Sequence, residues 1–314
     1  MYFGLIRFVQ PRRCVTMDLC SRQLSLGGIR IDALEQRDLI QLVERAKQTK
    51  DKLLILNHNL HSLYLHEANA AFRALYKQAS YVYIDGLPVV WLGQMAGLPL
   101  TKSHRMTFID SFDSILEDAA ERDWRIFYLG STDAVLAKAL KILRERHKKL
   151  IISGRNGFLP NCPAEVDAVI AEINRFGADI LFVGMGMPTQ EMWLIEHRAK
   201  LCASAILTSG GTLDYVAGCA YRPPAWAGKL GLYGLFRLFF DPKRLWRRYL
   251  IEPIIVAKLL SPRLLRQRLS IHADPQKTYV RRSPVRSILS VVLRQRLAWM
   301  RPPATPVETA PDIG

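Results

Sequence analysis

Carboxylate and amide side chains stand directly after two short apolar runs of this sequence. Asn57 and Asn59 follow the run that begins at Lys52, and Asp85 follows the run from Tyr81 to Ile84, just before a glycine. A carboxylate at the end of a buried strand is well placed to accept a proton in a reaction. An Asp-Gly turn residue or a helix cap would use the same residue types, so both interpretations stay open here.

A glycine-rich turn follows the apolar run that ends at Val183. Gly184 and Gly186 allow the backbone to turn sharply and to approach a ligand closely. Pro188 suits the start of a helix, whose first turn then contains Gln190. Free backbone N–H groups at such a helix start bind phosphates and nucleotides in α/β proteins. An ordinary strand-to-helix connection is the alternative interpretation.

Further residues with suitable chemistry stand at comparable positions. Gly130 ends one apolar run, and Gly211 belongs to a turn that permits close backbone approach to a ligand. Asp214 would lie in the first turn of the next helix, where it suits hydrogen bonding to ribose or sugar hydroxyls, or plain helix capping. Arg105 stands in a polar loop and has the charge to bind a phosphate or carboxylate, although surface arginines are more common.

The elements that must position these residues alternate between strand and helix character over residues 26–230. This alternation predicts an α/β core, a Rossmann-like, mostly parallel sheet with helices on both faces. An edge hairpin is predicted at Leu24–Ile31 and one continuous helix at His61–Gln78. Because the polar clusters all follow strands, we expect them to gather at one edge of the sheet and to form a single cleft.

Composition and charge narrow the class of protein. Hydrophobic residues make up 49% of the 314 residues, which permits a sizeable core and excludes global disorder. The formal net charge of +16 indicates an acidic partner: a nucleic acid, an anionic membrane surface or phosphorylated substrates. Five widely spaced cysteines without a zinc-site pattern indicate reduced thiols in the cytoplasm. We expect neither a secretion signal nor a spanning helix.

The C-terminal part differs in character from the rest. Residues 231–270 are predicted to form a basic, aromatic-rich helical appendage, residues 1–25 an N-terminal tail, and residues 271–314 a basic helix with a disordered Pro-rich tail. Aromatic residues mixed with arginines suit a membrane surface or a nucleic acid, and a helix packed on the core is the plain alternative. Spacing puts three arginines that would bind a diphosphate on one helix face: Arg237, Arg244 and Arg247.

Several motifs together resemble the WecG/TagA/CpsF glycosyltransferase family. They are Asp85-Gly86, VGMGMPTQE followed by Trp193, GGTLDYVAG, RPPAW, and LFRL with DPKRLWRRY, spread over about Leu26 to Leu250. The xanthan-type exopolysaccharide glucosyltransferases are the most similar branch, with the N-acetylmannosaminyl enzymes of wall teichoic acid and enterobacterial antigen further away. The resemblance implies inverting transfer of a hexosyl unit from a UDP-sugar to a polyprenyl-diphosphate-linked saccharide. It further implies a peripheral or monotopic protein at the cytoplasmic face of the inner membrane.

The resemblance also implies roles for individual residues. Asp85 matches the general base that takes the proton from the acceptor hydroxyl, Asn59 and Gln190 match active-site amides, and Asp214 matches an acid near the nucleotide. The arginines that would reach the acceptor diphosphate or the leaving phosphate are Arg237, Arg244 and Arg247.

Three positions depart from the usual pattern of that family. Asn57 replaces a Thr, Phe108 replaces a Gly, and Tyr233-Gly234 replaces Glu-Trp. The first departure puts one pocket contact in question, and the last affects appendage packing or acceptor choice.

The expected chemistry agrees with the residues present. Negative charge develops on UDP during glycosyl transfer and is stabilised either by a divalent metal ion or by amides and arginines. The sequence lacks an Asp-x-Asp motif and is rich in arginine, so we predict transfer without a metal ion or cofactor. Two alternatives remain. One is a basic nucleic-acid-binding protein, an alternative that we rank below the transferase because we do not expect a nucleic acid among the partners. The other is a dinucleotide-dependent oxidoreductase, for which GxGxxG after the first strand is missing.

Overall fold

A computed structural model of the chain describes residues 22–158 and 162–273. Its strands are β1 (Gln23–Leu26), β2 (Ile29–Asp32), β3 (Leu53–His58), β4 (Tyr81–Ile84), β5 (Arg125–Gly130), β6 (Ile151–Arg155), β7 (Ile180–Gly184) and β8 (Ala205–Thr208). Strands β1 and β2 form the predicted hairpin. The other strands form one parallel sheet in the order β4-β3-β8-β7-β5-β6, so the predicted α/β architecture is confirmed.

Helices connect these strands and continue beyond the last one. Those between strands are α1 (Gln36–Thr49), α2 (Leu60–Ala68), α3 (Ala70–Gln78), α4 (Leu87–Met95), α5 (Phe108–Glu121), α6 (Asp133–Arg146), α7 (Pro163–Phe176) and α8 (Thr189–His197). Those after the sheet are α9 (Thr212–Val216), α10 (Ala225–Lys229), α11 (Tyr233–Phe240), α12 (Pro242–Trp246) and α13 (Glu252–Ala273). A π-helical turn, Arg247–Ile251, joins α12 to α13.

The central strands are buried on both faces because helices cover each side of the sheet. On one face Leu181 and Val183 of β7 belong to an apolar cluster with residues of α3, α7 and α8. On the other face Phe182 contacts Phe108 and Phe112 of α5, with ring centroids 5.5 and 5.2 Å apart. Phe108, one of the positions that departs from the family pattern, is therefore a core residue. Two-sided burial explains the continuous apolar runs of the sequence.

The single helix predicted over His61–Gln78 is wrong, because the chain breaks at Asn69. Asn69 has an extended backbone (φ −127°, ψ 116°), and its side-chain oxygen accepts hydrogen bonds from the N–H groups of Ala71 and Phe72 at 2.9 and 3.0 Å. Asparagine is among the preferred residues for capping a helix N-terminus in this way. Two helices, α2 and α3, result.

The prediction that three arginines share one face of a single helix is also wrong. Asp241 (φ −142°, ψ 64°) separates α11 from α12. Arg237 consequently lies in α11, Arg244 in α12 and Arg247 in the π-helical turn. Their positions relative to the sheet are set by packing of these short elements and not by helical periodicity.

The longest helix, α13, packs on the N-terminal hairpin. Leu260 and Leu264 are buried in a cluster that includes residues of β1 and β2. The side chain of Gln267 accepts a hydrogen bond from the N–H of Gly27 at 2.7 Å and donates one to the carbonyl oxygen of Ser25 at 2.6 Å. The two ends of the described chain are thus joined by apolar and polar contacts.

Some predictions concern residues outside this description. Residues 1–21 of the predicted tail, and residues 274–314 of the predicted basic helix and Pro-rich tail, lie outside the described residues.

Candidate active site

The carboxyl group of Asp85 lies at the carboxyl edge of the sheet, directly after β4. Its backbone N–H donates to the carbonyl oxygen of His58 at 2.8 Å, which continues the pairing of β4 with β3. The side-chain amides of Asn57 and Asn59 donate to its Oδ2 at 3.3 and 3.2 Å. Residues at or directly after the ends of two neighbouring strands therefore converge, as expected from their positions in the sequence.

Asn57 is itself fixed by two other elements. Thr208, at the end of β8, donates its hydroxyl to Oδ1 of Asn57 at 3.0 Å, and Tyr76 of α3 donates to the Asn57 carbonyl oxygen at 2.8 Å. Because Oδ1 is occupied by a donor, the amide nitrogen must point toward Asp85. Asn57 thus orients the Asp85 carboxyl. Thr208 was not identified from the sequence, since nothing local distinguishes it from another strand residue.

Opposing influences act on the charge of Asp85. Burial raises the pKa of its carboxyl, while hydrogen bonds from Asn59 and Thr107 and the charges of Arg237 and Arg248 lower it. The net result is a raised pKa. A desolvated carboxylate with a raised pKa is a stronger base than one in water, which suits removal of a proton from a hydroxyl group.

The glycines at the ends of β5 and β7 permit close packing, whereas the glycine two residues after β7 leaves its backbone open. A Cβ atom on Gly184 would collide with the hydroxyl of Tyr128, and one on Gly130 would collide with the backbone of Gly184. These two glycines permit close packing of strands and of Tyr128, which donates to the Gly210 carbonyl oxygen at 2.9 Å. Gly186 has φ 83° and faces open space, so its backbone is accessible at the carboxyl edge of the sheet.

Gln190 is buried and connects two turns of the cleft. Its side-chain oxygen accepts from the N–H of Gly210 at 3.1 Å, and its amide nitrogen donates to Oε1 of Glu191 at 2.8 Å. Glu191 is 0% exposed, and its Oε2 has no hydrogen-bond partner within the described part of the chain. Burial raises the pKa of Glu191 to about 7. Sequence reasoning placed Glu191 in the first helical turn but gave it no role.

Asp214 lies in the short helix α9, beside the turn after β5. Burial raises the pKa of its carboxyl, while Arg244, the hydroxyl of Ser131 and Arg237 act in the opposite direction. A Cβ atom on Gly211 would come within 2.6 Å of the Asp214 carboxylate, so glycine leaves room for that group. This half-buried acid faces two arginines at the same edge of the sheet as Asp85.

The arginines of the C-terminal helices divide into two groups. Arg237 and Arg248 are half-buried, and the charge of each acts on Asp85. Arg244 is exposed, is paired with Asp241 at 2.5 Å and acts on Asp214. Arg247 is exposed. Arg248 was not among the residues selected from the sequence, because the predicted single helix placed the adjacent Arg247 on the face that the three arginines would share.

Arg105 lies beside the end of β4, where it forms a bridge with Ile84. Its guanidinium group pairs with Asp110 and lies 5.6 Å from the ring centroid of Tyr233. The Tyr233 hydroxyl also donates to Asp110 at 2.6 Å. Arg105 therefore has a carboxylate partner, and Tyr233, one of the departures from the family pattern, attaches α11 to this pair.

One family of enzymes matches this chain over most of its length. The family model described as "Glycosyl transferase WecG/TagA/CpsF family" matches residues 24–270. The chain belongs to this family. As a WecG/TagA/CpsF glycosyl transferase, it places Asp85, Gln190 and Asp214 at the same edge of its sheet. Membership favours the transferase over the nucleic-acid-binding and oxidoreductase alternatives.

Several curated relatives from Staphylococcus aureus carry the same activity name. The chain is 30% identical over 226 residues, 70% of its own length and 87% of the relative's, to an N-acetylglucosaminyldiphosphoundecaprenol N-acetyl-beta-D-mannosaminyltransferase of Staphylococcus aureus strain NCTC 8325. Proteins of the same name from strains COL and MRSA252 match at the same identity and coverage. None of these names mentions glucose, so the glucosyltransferase branch has no support from these relatives.

The C-terminal helices present apolar side chains to solvent. Among the described residues, no helix combines the length and the apolar character needed to cross a membrane. Large exposed apolar residues nevertheless cluster in α10–α13 and the turn between α12 and α13: Trp226, Leu235, Phe239, Phe240, Trp246, Leu250, Ile251 and Ile254. Exposed apolar side chains gathered on successive elements indicate an interaction surface. We call this set the aromatic patch.

Proposed function

We propose that the protein is an inverting glycosyltransferase that moves a hexosyl unit from a UDP-sugar to a polyprenyl-diphosphate-linked saccharide. The observation that carries the proposal is the Asp85 carboxyl, oriented by Asn57 and Asn59 and faced by Arg237 and Arg248. A base and cations in one cleft match the two needs of the reaction. The attacking hydroxyl must lose a proton, and the departing diphosphate must be stabilised.

In the proposed reaction, the acceptor hydroxyl attacks the anomeric carbon of the donor while Asp85 accepts the hydroxyl proton. The new glycosidic C–O bond forms as the bond to the UDP oxygen breaks on the opposite face of the sugar, which inverts the anomeric configuration. The electron pair leaves with UDP, whose added negative charge is stabilised by the arginines of the cleft. Asp214 would accept hydrogen bonds from ribose or sugar hydroxyls. Gln190 would fix the Gly210 turn that approaches the donor.

Two observations support the proposed acceptor. The relatives' name specifies an N-acetylglucosaminyldiphosphoundecaprenol acceptor, a sugar joined through a diphosphate to a polyprenyl lipid. The aromatic patch lies on the same helices as Arg237 and Arg244, so a lipid-bound diphosphate at an anionic membrane surface fits both chemistries. We propose peripheral or monotopic attachment at the cytoplasmic face of the inner membrane, in surface-polysaccharide synthesis.

The identity of the transferred sugar is the most specific part of the proposed function. The motif resemblance favours glucose, while the relatives' name supports N-acetylmannosamine. A panel of UDP-sugars, including both, should be incubated with a polyprenyl-diphosphate N-acetylglucosamine acceptor, with lipid-linked product and free UDP quantified. We expect product with one UDP-hexose and equal product after EDTA treatment. UDP-sugar turnover that requires added manganese would contradict metal independence, and absence of lipid-linked product with every donor would contradict this acceptor.

A further inference from the structure

A cavity of about 470 Å³ lies between the N-terminal hairpin, α2, α3 and α13. Neither Asp85 nor the two asparagines bound to it line this cavity. Its volume falls within the range of small-molecule sites in proteins. The polar side chains that matter for its chemistry are Arg30, His66, Glu67, Arg73, Lys77 and Arg263.

Two of the cations in the wall are already paired with acids. Arg30 lies 3.0 Å from Asp32, and Arg263 donates two hydrogen bonds to the carboxylate of Glu67 at 3.0 and 2.9 Å. The pairing of Arg263 with Glu67 also connects α13 to the end of α2. These pairs contribute no net charge to the cavity.

Two other cations in the wall have no acidic partner. Arg73 donates only to backbone carbonyl oxygens, those of His66 at 2.6 Å and Glu67 at 3.1 Å. Over residues 22–158 and 162–273, no carboxylate forms an ion pair with either Arg73 or Lys77. The cavity therefore has two uncompensated positive charges, which favour an anion carrying two negative charges.

One buried polar atom also lacks a partner. Nδ1 of His66 is buried without a hydrogen bond in the described part of the chain, since Oε1 of Glu67 is 3.7 Å away. Native structures leave few such atoms unpaired unless an unseen water or ligand satisfies them. In the tautomer that carries the ring proton on Nδ1, His66 would donate this hydrogen bond to an oxyanion beside Arg73 and Lys77.

We propose that this cavity is a second anion site, which binds a phosphate monoester dianion between α3 and α13. A phosphate group matches the two uncompensated cations, and the remaining volume accommodates the organic group that it esterifies. Because Tyr76 lines the cavity and donates to the carbonyl oxygen of Asn57 at 2.8 Å, the site is one residue removed from the amide that orients Asp85. The phosphate could belong to a soluble metabolite or to a lipid headgroup.

Thermal unfolding of the full chain in increasing glycerol 3-phosphate, at constant ionic strength set by potassium chloride, tests the site. A ligand that binds the folded state raises Tm in proportion to its occupancy, from which a Kd follows. We expect Lys77→Gln to weaken binding about tenfold, the contribution of one charge-assisted hydrogen bond, and Lys77→Glu to weaken it further. Lys148→Glu, the same charge change at an exposed position in the turn before β6, should leave Kd unchanged.

Arg237→Ala separates this cavity from the Asp85 cleft. We expect this variant to retain binding of glycerol 3-phosphate. Wild-type affinity in Lys77→Glu, or loss of binding in Arg237→Ala, would overturn the proposal.

Vesicles distinguish the two sources of phosphate. Sedimentation with vesicles containing phosphatidic acid, a phosphate monoester, should be compared with phosphatidylglycerol vesicles of equal charge. Lys77-dependent preference for phosphatidic acid, with weak binding of the soluble probe, assigns the site to a lipid headgroup. The reverse assigns it to a soluble ligand. Absence of a Lys77 effect in both assays rejects the site.

Discussion

The Asp85 carboxyl is surrounded by groups with opposite effects on its proton affinity. Burial favours the protonated form, while the amide of Asn59 and the arginines favour the carboxylate. The pKa of this carboxyl is raised by burial, while the hydrogen bonds and nearby arginines act in the opposite direction. The amides of Asn57 and Asn59 also fix the direction of the lone pairs of the Asp85 carboxylate. The carboxylate is therefore suited to one orientation of the acceptor hydroxyl.

Replacing Asp85 by Asn should remove the base and preserve the shape of the site. We expect turnover to fall about 10²- to 10⁴-fold, the usual contribution of general-base catalysis, with UDP affinity unchanged. Steady-state kinetics and UDP titration measure the two quantities. Asp51→Asn, an exposed acid before β3, serves as the matched control. A turnover equal to that of wild type in Asp85→Asn would exclude the residue from the mechanism.

Glu191 gives a prediction about stability and pH. Its pKa is about 7 in the folded protein because of burial, against about 4.5 in the unfolded chain. The folded state therefore binds the proton more tightly, and the stability due to this group, about 3 kcal/mol, is full below pH 4.5 and is lost as pH rises toward 7. In Glu191→Gln this loss should be absent.

Urea unfolding of wild type and Glu191→Gln at pH 5 and pH 7.5 tests this directly. Asp85 and Asp214 also have raised pKa values, but both residues are present in both proteins, so their contributions cancel in the difference. An equal pH dependence for the two proteins would show that Glu191 is ionised when folded.

Local sequence was sufficient for residues at or directly after the ends of strands. Asn57, Asn59 and Asp85 were identifiable because a strand end fixes where the next side chain lies. Thr107 and Thr208 were not, because their contacts with this cluster depend on which strands and loops become neighbours. Sheet order is a long-range property that strand periodicity does not encode.

At the scale of elements, the chain between α11 and α13 controls which arginines face the cleft. Asp241 ends α11, and the π-helical turn Arg247–Ile251 then changes the helical register. One extra residue in a turn rotates the following side chains by about 100° around the axis, the angle of one residue in a helix. Arg248 is consequently half-buried near Asp85, while Arg247 is exposed.

This geometry predicts unequal effects for two adjacent arginines. Arg248→Ala should reduce kcat/KM about 100-fold, because a charge beside the reacting groups is lost. Arg247→Ala, its matched control, should change kcat/KM less than about threefold, as expected for an exposed charge. Thermal unfolding of both variants verifies folding. A larger loss of kcat/KM in Arg247→Ala than in Arg248→Ala would contradict the placement of Arg248 beside the reacting groups.

The break at Asp241 and the π-helical turn explain why helical spacing failed here. Spacing arguments assume one uninterrupted helix, and the run from Arg237 to Arg248 has apolar and basic residues compatible with one. Packing of Leu245, which is buried, and of Gly234 against the Tyr249 ring favours shorter elements. Tertiary contacts of this kind override local helix propensity.

At the scale of the whole molecule, positive charge and exposed apolar surface occur together in α10–α13. The chain has a formal net charge of +16, and the aromatic patch lies on the same helices as Arg244 and Arg247. Amphipathic surfaces of this composition bind anionic lipid bilayers through rings at the headgroup level and cations on phosphates.

Phe239 and Phe158 provide a matched test of this surface, being 80% and 76% exposed. Phe239→Ser should reduce the fraction sedimented with anionic vesicles, with a partition coefficient about tenfold lower, since burial of one phenylalanine contributes roughly 1.5–3 kcal/mol. Phe158→Ser, in the loop after β6, should have no effect. Equal sedimentation of both variants and wild type would exclude the patch from membrane binding.

The bond between Gly27 and Gln267 has a consequence for synthesis of the protein. These residues are 240 positions apart, and the apolar seam around Leu260 and Leu264 combines the hairpin with the last helix of the described chain. A ribosome must release α13 before the hairpin can bury its inner side, and the arginines beside Asp85 emerge equally late. We expect the nascent chain to stay protease-sensitive and inactive until α13 has left the ribosome.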